Sequence, residues 1–459
     1  MQYKYLYKEY SKNPIKDNKR LEFVMTLFFK QLPTNSSLFK LIKLHKYLKY
    51  KYEKNIKNFY QSIYKKYTIL EKNVIIITKS KKGKIKMNYS IYLTDNCNLN
   101  CKYCYEKNTH QNRKISMKNI KKIIDNEIKN KTKISVLTFF GGEPLLEKKL
   151  IYETANYIKS KKCKTKFLYN MTTNGTLIDD GFIEFFKNND FISLSLSIDG
   201  NEKTQNKNRI TKNAKGTYEC IEKNAKKLLI KPEIVVAVPV VTKNNVTNLS
   251  ENLKNLLKIG FKRINFQFDF TADWTDEDLD IIKNEFEKIS KIYMEKMREE
   301  KQFDILSIDE KIRTYIDSTI DCNENCSVGI KGVNVGTDGN IYPCMQFMYD
   351  KRYIIGNCEN GINKKKQEEI HKLLKQEMED CIGCSYRKRC NHTCSCINKA
   401  FTNNPKQTSP FTCEIERITI NTADKIAKTL YSEKNPVFIQ KFYNMYYKDI
   451  ENIINNRGK

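Results

Sequence analysis

Three closely spaced cysteines are the residues of this chain with the clearest chemical potential. The stretch "CNLNCKYCYE" at 97–106 carries Cys97, Cys101 and Cys104, separated first by three residues and then by two. A zinc finger, a redox pair or an iron–sulfur site could each begin in this way. A structural zinc site needs four ligands, and among nearby residues only His110 could follow as a fourth. Three thiolates on a [4Fe–4S] cluster would leave one iron open to a chelating substrate.

An alternation of strand-like and helix-like segments supplies the elements that must position these cysteines. Helical stretches separate six β-rich runs, at 89–93, 134–140, 167–173, 192–198, 234–241 and 264–270. Such an alternation predicts an α/β fold with a parallel sheet. A closed barrel needs eight units, so six favour a partial (β/α)6 barrel, with a doubly wound sheet as the alternative. The cysteine, "GGEP", "NGT" and "DG" turns follow strand ends, where parallel sheets place their ligands.

A second group of cysteines lies in the C-terminal third of the chain. Ten of the fifteen cysteines follow residue 320, which predicts a separate metal-bearing module. By themselves, these residues leave structural zinc sites and iron–sulfur clusters both open. Cys163, Cys220 and Cys358 fit no spacing, and we expect them to be buried as small packing residues.

Composition and charge give the broad class of the protein. With 459 residues, of which 40% are hydrophobic, the chain is long enough for one large domain and smaller ones. No apolar run reaches the ~18 residues of a membrane span, and the N-terminus lacks a secretory pattern, so we expect a cytoplasmic protein. The formal charge of +30 is spread along the chain. This spread favours a genome rich in A/T codons over nucleic-acid binding as its origin.

The motifs at the strand ends resemble those of the radical S-adenosylmethionine (SAM) superfamily. "FFGGEPLL" at 139–146, "TTNGTL" at 172–177 and "SLSIDG" at 195–200 follow the three cysteines in order. The resemblance implies that Cys97, Cys101 and Cys104 bind a [4Fe–4S] cluster whose open iron holds SAM. Electron transfer to the sulfonium would then yield methionine and a 5′-deoxyadenosyl radical. The resemblance also implies which residues bind SAM. Tyr103 and Phe270 would contact the adenine, and Ser197 and Arg209 the carboxylate. Gly141, Gly142 and Glu143 would bind the ammonium, with Asn174 of the "TTNGTL" motif nearby.

The C-terminal cysteines resemble the SPASM extension of radical SAM peptide-modifying enzymes, which holds two auxiliary [4Fe–4S] clusters. The implied total is therefore three clusters. Carried over by position, the ligands of the first auxiliary cluster are Cys322, Cys326, Cys344 and Cys394. Those of the second are Cys381, Cys384, Cys390 and Cys413. Family members differ at the position of Cys322, and Cys396 stands two residues after Cys394 as a competing thiol.

The resemblance also divides the chain into four parts. We expect an N-terminal, mainly helical extension at 1–85, the radical SAM partial barrel at 86–300, the SPASM domain at 301–415 and a helical tail at 416–459. The extension is rich in Lys and Tyr and predicts either a leader-peptide recognition region or a helical cap.

Two subfamilies give the alternatives for the substrate. Anaerobic sulfatase-maturating enzymes oxidise Cys or Ser to formylglycine, and in them an Asp serves as the base directly after the cysteine that corresponds to Cys344. Here that position holds Met345, and a thioether cannot accept a proton at neutral pH. The departure favours the second subfamily, which matures ribosomally made peptides, often through thioether cross-links from cysteine.

The implied partners are a peptide substrate with a leader and an electron donor such as flavodoxin or ferredoxin. No catalytic base is assigned from the sequence. A non-catalytic, cysteine-rich metal-binding protein is the alternative from another functional class.

Overall fold

The protein is described by a computed structural model that covers residues 87–106, 112–270, 272–318, 320–322, 328–375, 378–391 and 394–443. The predicted N-terminal extension at 1–85 and the predicted ligand Cys326 lie outside the described residues.

Parallel strands form the centre of an α/β fold. In chain order they are β1 (Met87–Thr94), β2 (Ile134–Gly141), β3 (Lys166–Thr173), β4 (Phe191–Leu196), β5 (Val235–Ala237), β6 (Val240–Val241), β7 (Arg263–Ile264), β8 (Gln267–Phe268) and β9 (Asp304–Ile305). Strands β1, β2, β3, β4, β5, β7 and β9 are successive parallel neighbours, and β6 pairs with β8. Several of their residues are fully buried, as expected for parallel strands covered on both faces.

All six predicted β runs are confirmed, although the fifth and sixth are each split into two short strands. Pro239 lies between β5 and β6, and its missing N–H interrupts regular pairing there. The backbone pairing nevertheless continues across the break, because the amide of Gln267 donates to the carbonyl of Pro239 at 3.0 Å. The predicted parallel sheet is therefore present in the expected order.

The C-terminal part of the chain extends the same sheet. It contributes β10 (Gly332–Val335), β11 (Asn340–Tyr342), β12 (Gly356–Asn357) and β13 (Gly361–Ile362). β10 pairs in parallel with β1, with Tyr89 opposite Val333, while β10 to β13 pair successively as antiparallel neighbours. The 11-stranded sheet has β13 and β9 as its terminal strands. The outer edge of β1 is thus covered by a strand from the predicted SPASM segment, which brings that segment beside the first cysteine loop.

Helices connect the strands and cover the sheet. They are Met117–Lys129, Lys148–Ser160, Asp180–Asn188, Glu202–Asn208, Tyr218–Leu228, Leu249–Ile259, Asp276–Arg298, Leu306–Ile316, Lys364–Leu374, Ser395–Thr402, Pro410–Ser432 and Pro436–Phe442. Side chains cap several of their N-termini: Ser116 accepts from the amide of Asn119, and Thr275 forms a capping box with Asp278. In the described part of the chain, no helix combines the length and apolar character of a membrane span.

Candidate functional site

The loop that carries the first three cysteines is held by the segment after the helix Glu202–Asn208. This loop begins where β1 ends, at the carboxyl edge of the parallel sheet. Its backbone amides at Asn100 and Lys102 donate to the carbonyls of Ile210 and Asn208, at 2.8 and 3.0 Å. The pairing fixes the cysteine loop against the residues that flank Arg209, which the family resemblance predicts at the SAM carboxylate.

Hydrogen-bond donors surround two of the three cysteine sulfurs. Arg209 directs its Nη1 toward the Sγ of Cys101 at 3.8 Å, and Asn174 directs its Nδ2 toward the Sγ of Cys97 at 3.8 Å. The amide of Leu99 adds a contact of 3.4 Å to the Sγ of Cys97. Donors at this distance stabilise negative charge on sulfur, which a metal-bound thiolate carries. The surroundings therefore fit an anionic iron–sulfur cluster.

The three thiols also lie close enough to influence one another. Burial raises the pKa of Cys97 to about 11, and the neighbouring thiols of Cys101 and Cys104 add to the increase. Burial likewise raises the pKa of Cys104, with Cys101 contributing. Ionising three adjacent thiols together requires a compensating positive charge, which iron ions provide.

Single-ion sites follow a different geometry. Within the described residues, no three Cys, His, Asp or Glu side chains converge as the ligands of one metal ion would. A four-iron cluster holds its thiolates further apart than one ion does, so this observation concerns mononuclear sites.

The two glycines at the end of β2 let the "GGEP" turn approach the start of the cysteine loop. The amides of Gly142 and Glu143 donate to the carbonyls of Thr94 and Asn96, each at 2.9 Å. Gly141 has a φ of +124°, and a Cβ on Gly142 would lie 2.3 Å from the carbonyl oxygen of Asn96. Only glycine fits this approach of two backbones, which places Gly141 and Gly142 beside the predicted cluster ligands.

Gly142→Ala should disturb this contact. We expect it to lower the free energy of unfolding by about 1–3 kcal/mol, because the new methyl group must push the cysteine loop away. SAM binding measured by equilibrium dialysis should weaken in parallel. Gly181→Ala is the matched control: its Cβ meets its nearest neighbour, the Oδ1 of Asp179, at 3.6 Å, within the helix Asp180–Asn188. Equal stability and equal SAM affinity in the two variants would contradict the role of the turn.

Glu143 links the "GGEP" turn to the "NGT" turn through hydrogen bonds to its carboxylate. Its carboxylate accepts from the amide of Leu145 at 2.9 Å, the hydroxyl of Thr173 at 2.7 Å and the amide of Asn174 at 2.7 Å. The side chain is 1% exposed, and burial raises its pKa although these hydrogen bonds oppose the increase. A carboxylate has about four acceptor positions, so one remains for the predicted SAM ammonium.

Asn174 connects the hydrogen bonds around Glu143 to the cysteine loop. Besides its contact with Cys97, its Nδ2 donates to the Oδ1 of Asn98 at 2.9 Å, and its Oδ1 accepts from the amide and the hydroxyl of Thr176. The predicted SAM-site residues Gly141, Gly142, Glu143 and Asn174 therefore lie together around the start of the cysteine loop.

A buried aspartate joins Tyr103 to Arg209. The carboxylate of Asp199 accepts from the Tyr103 hydroxyl at 2.7 Å and from the Nε of Arg209 at 3.2 Å, and its side chain is 0% exposed. The guanidinium lies 5.3 Å from the centre of the Tyr103 ring. Asp199 was not assigned a role from the sequence, although the "DG" turn after β4 pointed to its position. Ser197, two residues earlier, is half-buried and its amide pairs with the carbonyl of Thr173.

Phe270 belongs to a second group of side chains, formed with the segment after Cys344. Its ring lies 5.4 Å from that of Tyr105 and 6.2 Å from that of Phe401. The hydroxyl of Tyr105 lies 3.5 Å from the Sδ of Met345. Next to Tyr105, Glu106 accepts from the hydroxyl of Tyr92 at 2.9 Å, and burial raises the pKa of Glu106 to about 7.

Two predicted ligands of the first auxiliary cluster, Cys344 and Cys394, lie beside the same third thiol. Cys344 contacts Cys396, whose hydrogen bond lowers the pKa of the Cys344 thiol. Cys396 also contacts Cys394, and these two hydrogen bonds together with burial raise its pKa well above the usual value. The competing thiol named from the sequence therefore lies between two predicted ligands. Cys322 is buried beside Lys311, whose Nζ lies 3.9 Å from its Sγ.

Three predicted ligands of the second auxiliary cluster lie where the helix Pro410–Ser432 begins. Burial raises the pKa of Cys381 to about 11, and Cys413 and Cys384 contribute as neighbouring thiols. Cys390, the fourth member, is also buried. Of the cysteines outside the pattern, Cys358 is buried and Cys163 is half-buried. Cys220 is exposed, so the expectation of buried packing is wrong for it, because it lies on an outer face of the helix Tyr218–Leu228.

Known proteins resemble both the sequence and the fold. Residues 91–283 match the family model described as the radical SAM superfamily. The chain is 27% identical over 325 residues to the cysteine-type anaerobic sulfatase-maturating enzyme of Clostridium perfringens, covering 65% of this chain and 85% of that one.

Two solved structures share the fold. Native anSMEcpe with bound AdoMet superposes with a TM-score of 0.64 at 20% identity, over 75% of this chain and 99% of that one. Streptococcus suis SuiB bound to the precursor peptide SuiA gives a TM-score of 0.52 at 16% identity, over 76% and 81% of the two chains.

Proposed function

Because the chain belongs to the radical SAM superfamily, we propose that it is a peptide maturase that modifies a ribosomally made peptide. The sulfatase-maturating relative and the fold shared with SuiB bound to a precursor peptide both support a peptide or protein substrate. Thioether cross-linking from cysteine is the modification that we favour.

The proposed reaction centre lies at the carboxyl edge of the sheet. Together, SAM and a [4Fe–4S] cluster supply a 5′-deoxyadenosyl radical when bound. Cys97, Cys101 and Cys104 would hold that cluster, with Arg209 donating toward the Sγ of Cys101 and Asn174 toward the Sγ of Cys97. Two auxiliary clusters in the C-terminal segment complete the proposed set of three.

The residues around the cysteine loop have separate proposed roles toward SAM. Arg209 uses its Nε for Asp199 and keeps other N–H groups for the SAM carboxylate, which Ser197 would also contact. Asp199 orients both Arg209 and Tyr103, so that the phenol ring can line the adenine site. Glu143 and the glycine turn would receive the ammonium. Phe270, whose ring lies 5.4 Å from that of Tyr105, is also proposed to contact the adenine.

The position of Met345 is the observation on which we choose a ribosomally made peptide over a sulfatase as the substrate. Its Sδ lies 3.5 Å from the hydroxyl of Tyr105, the residue that follows Cys104. Residue 345 therefore faces the cysteine loop in this chain, where the resemblance puts the base of formylglycine-forming enzymes. A thioether cannot take up the proton in that step. Asp350, the nearest acid downstream in the sequence, pairs with Arg352, whose hydrogen bond lowers the pKa of the carboxyl.

This arrangement predicts that the enzyme does not make formylglycine. Incubated anaerobically with SAM, a reductant and a Cys-x-Pro-x-Arg peptide, the wild-type protein should give no aldehyde product, because the reacting carbon lacks a base at position 345. Mass spectrometry of the peptide measures the outcome. The variant Met345→Asp introduces a carboxylate at this position and serves as the comparison. Uncoupled SAM cleavage by both proteins is the control for an intact cluster.

Aldehyde formation by the wild-type protein would overturn the preference for ribosomal-peptide maturation. It would also assign the base to a group other than residue 345, with Glu106 the first to examine. A protein that takes up stoichiometric zinc and stays colourless after anaerobic reconstitution with iron and sulfide would favour the non-catalytic alternative.

Two further proposals concern partners. We propose that residues 1–85 recognise a leader peptide, because their Lys and Tyr content suits an acidic, partly apolar segment. A flavodoxin or ferredoxin is the proposed electron donor.

A further inference from the structure

A buried lysine lies between the two sets of proposed auxiliary-cluster ligands. Lys311 belongs to the helix Leu306–Ile316, and its side chain is 1% exposed. Burying an ammonium group costs several kcal/mol unless it is paired and hydrogen-bonded. The contacts of Lys311 therefore indicate what it does there.

One contact of Lys311 is with a proposed ligand of the first auxiliary cluster. Its Nζ lies 3.9 Å from the Sγ of Cys322, a distance at which an N–H can donate to sulfur. Cys322 is itself 2% exposed, so water does not compete effectively for this contact. Cys322 occupies the position at which family members differ, and the lysine beside it supplies a charge complementary to a thiolate.

The other contacts of Lys311 reach the second set of ligands. Its Nζ donates to the carbonyl of Arg389 at 2.7 Å, in the residue directly before Cys390. It also pairs with the carboxylate of Glu416 at 2.9 Å, which accepts from the amide of Asn391 at 2.9 Å. Lys311 therefore touches both the sulfur of one proposed ligand and the backbone that positions another.

The ammonium form of Lys311 is favoured at this position. Its ion pair with the carboxylate of Glu416 at 2.9 Å and its hydrogen bond to the carbonyl of Arg389 at 2.7 Å stabilise the charged form against burial. The lysine thus brings a fixed positive charge and a donor to the protein interior.

We propose that Lys311 raises the reduction potential of the first auxiliary cluster by donating a hydrogen bond to Cys322 and placing a positive charge beside it. One-electron reduction adds negative charge to a cluster, and a neighbouring donor and cation stabilise the reduced form more than the oxidised one. Lys311 is a positioning and tuning residue in this account. The inference rests on the proposed auxiliary clusters.

Lys311→Met tests the proposal in full-length, anaerobically reconstituted protein. To isolate the auxiliary clusters, the variant is made in a background with Cys97, Cys101 and Cys104 replaced by Ala. Redox titration followed by electron paramagnetic resonance should show that the midpoint potential falls. At a fixed ambient potential near the original midpoint, the ratio of reduced to oxidised cluster should drop about tenfold, equivalent to ~59 mV for one electron.

Lys441→Met is the matched control. This lysine is equally enclosed, with a side chain that is 4% exposed, and it pairs with Asp304 and Asp309 at 2.8 Å each. Its other described contacts are to Tyr293, Phe303 and Phe442, so none of its described contacts is with a proposed ligand. Its loss should lower stability as the loss of Lys311 does, while the midpoint potential of the cluster stays unchanged.

Glu416→Gln provides a second test with the opposite sign. Removing this negative charge should raise the midpoint potential, and the amide can still accept from Asn391. If Lys311→Met fails to fold, this variant decides the question. An unchanged potential in the Lys311 variant, an equal decrease in the Lys441 variant, or no increase with Glu416→Gln would overturn the inference. Iron counting separates these results from failure of the proposed function, because a background that binds no iron has no auxiliary clusters.

Discussion

Replacing Cys97, Cys101 and Cys104 together by alanine should abolish reductive cleavage of SAM to 5′-deoxyadenosine. The three thiols occupy one loop at the end of β1, and the thiol of Cys101 raises the pKa of both Cys97 and Cys104, as expected for neighbours that share a cluster. Without them, no open iron remains at the carboxyl edge of the sheet to chelate SAM. Liquid chromatography with mass spectrometry of the reaction mixture measures the loss.

Iron content makes this prediction more specific. The wild-type protein should bind about twelve iron atoms in three four-iron clusters, and the triple variant should keep about two thirds of them. The matched control replaces Cys163, Cys220 and Cys358 by alanine, because none of them belongs to a proposed set of cluster ligands. That control should cleave SAM as the wild-type protein does. Full SAM cleavage by the first triple variant would show that the cofactor assignment is wrong.

Arg209→Met should produce the second largest effect, on both stability and SAM binding. Its guanidinium pairs with Asp199, whose side chain is 0% exposed, and donates toward the Sγ of Cys101. Removing one partner of a buried ion pair leaves the other charge uncompensated, so we expect a loss of about 3–5 kcal/mol in the free energy of unfolding. SAM affinity, measured by equilibrium dialysis, should fall as well because the proposed carboxylate ligand is gone.

Arg298→Met separates this effect from the general loss of an arginine. Arg298 pairs with Glu433 at 2.6 Å, but the two side chains are 45% and 36% exposed. Exposed pairs of this kind contribute about 0–1 kcal/mol to stability. The control should therefore have nearly the same midpoint of urea unfolding as the wild-type protein, and it should bind SAM normally. If both variants lose the same stability and neither loses SAM affinity, Arg209 has no special role at the site.

Much of the fold and the centre of the site could be predicted because their signals are local. Each parallel strand is a short apolar run, and each is followed by a turn whose residue types are restricted by backbone geometry. Gly142, for example, must lack a side chain because the carbonyl of Asn96 occupies that space. Turns that follow parallel strands meet at one edge, so motifs far apart in the chain were correctly expected to lie together.

The remaining features depend on contacts between distant segments, which local patterns do not encode. The pairing of β10 with β1 covers a sheet edge with residues from more than 200 positions further along the chain. The role proposed for Asp199 follows from its hydrogen bonds with Tyr103 and Arg209. The role proposed for Lys311 follows from its contacts with Cys322, Arg389 and Glu416. In the sequence, Asp199 is one acidic residue after a strand and Lys311 one lysine among many. Their burial and partners become visible only in the folded chain.

Formation of 5′-deoxyadenosine by the wild-type protein is the measurement that tests the central claim most directly. The full-length chain is reconstituted anaerobically with iron and sulfide, reduced with dithionite and incubated with SAM. We expect equal amounts of 5′-deoxyadenosine and methionine, and none of either when the reductant is left out. Protein that is fully loaded with iron, reduced and supplied with SAM but forms no 5′-deoxyadenosine would contradict the account.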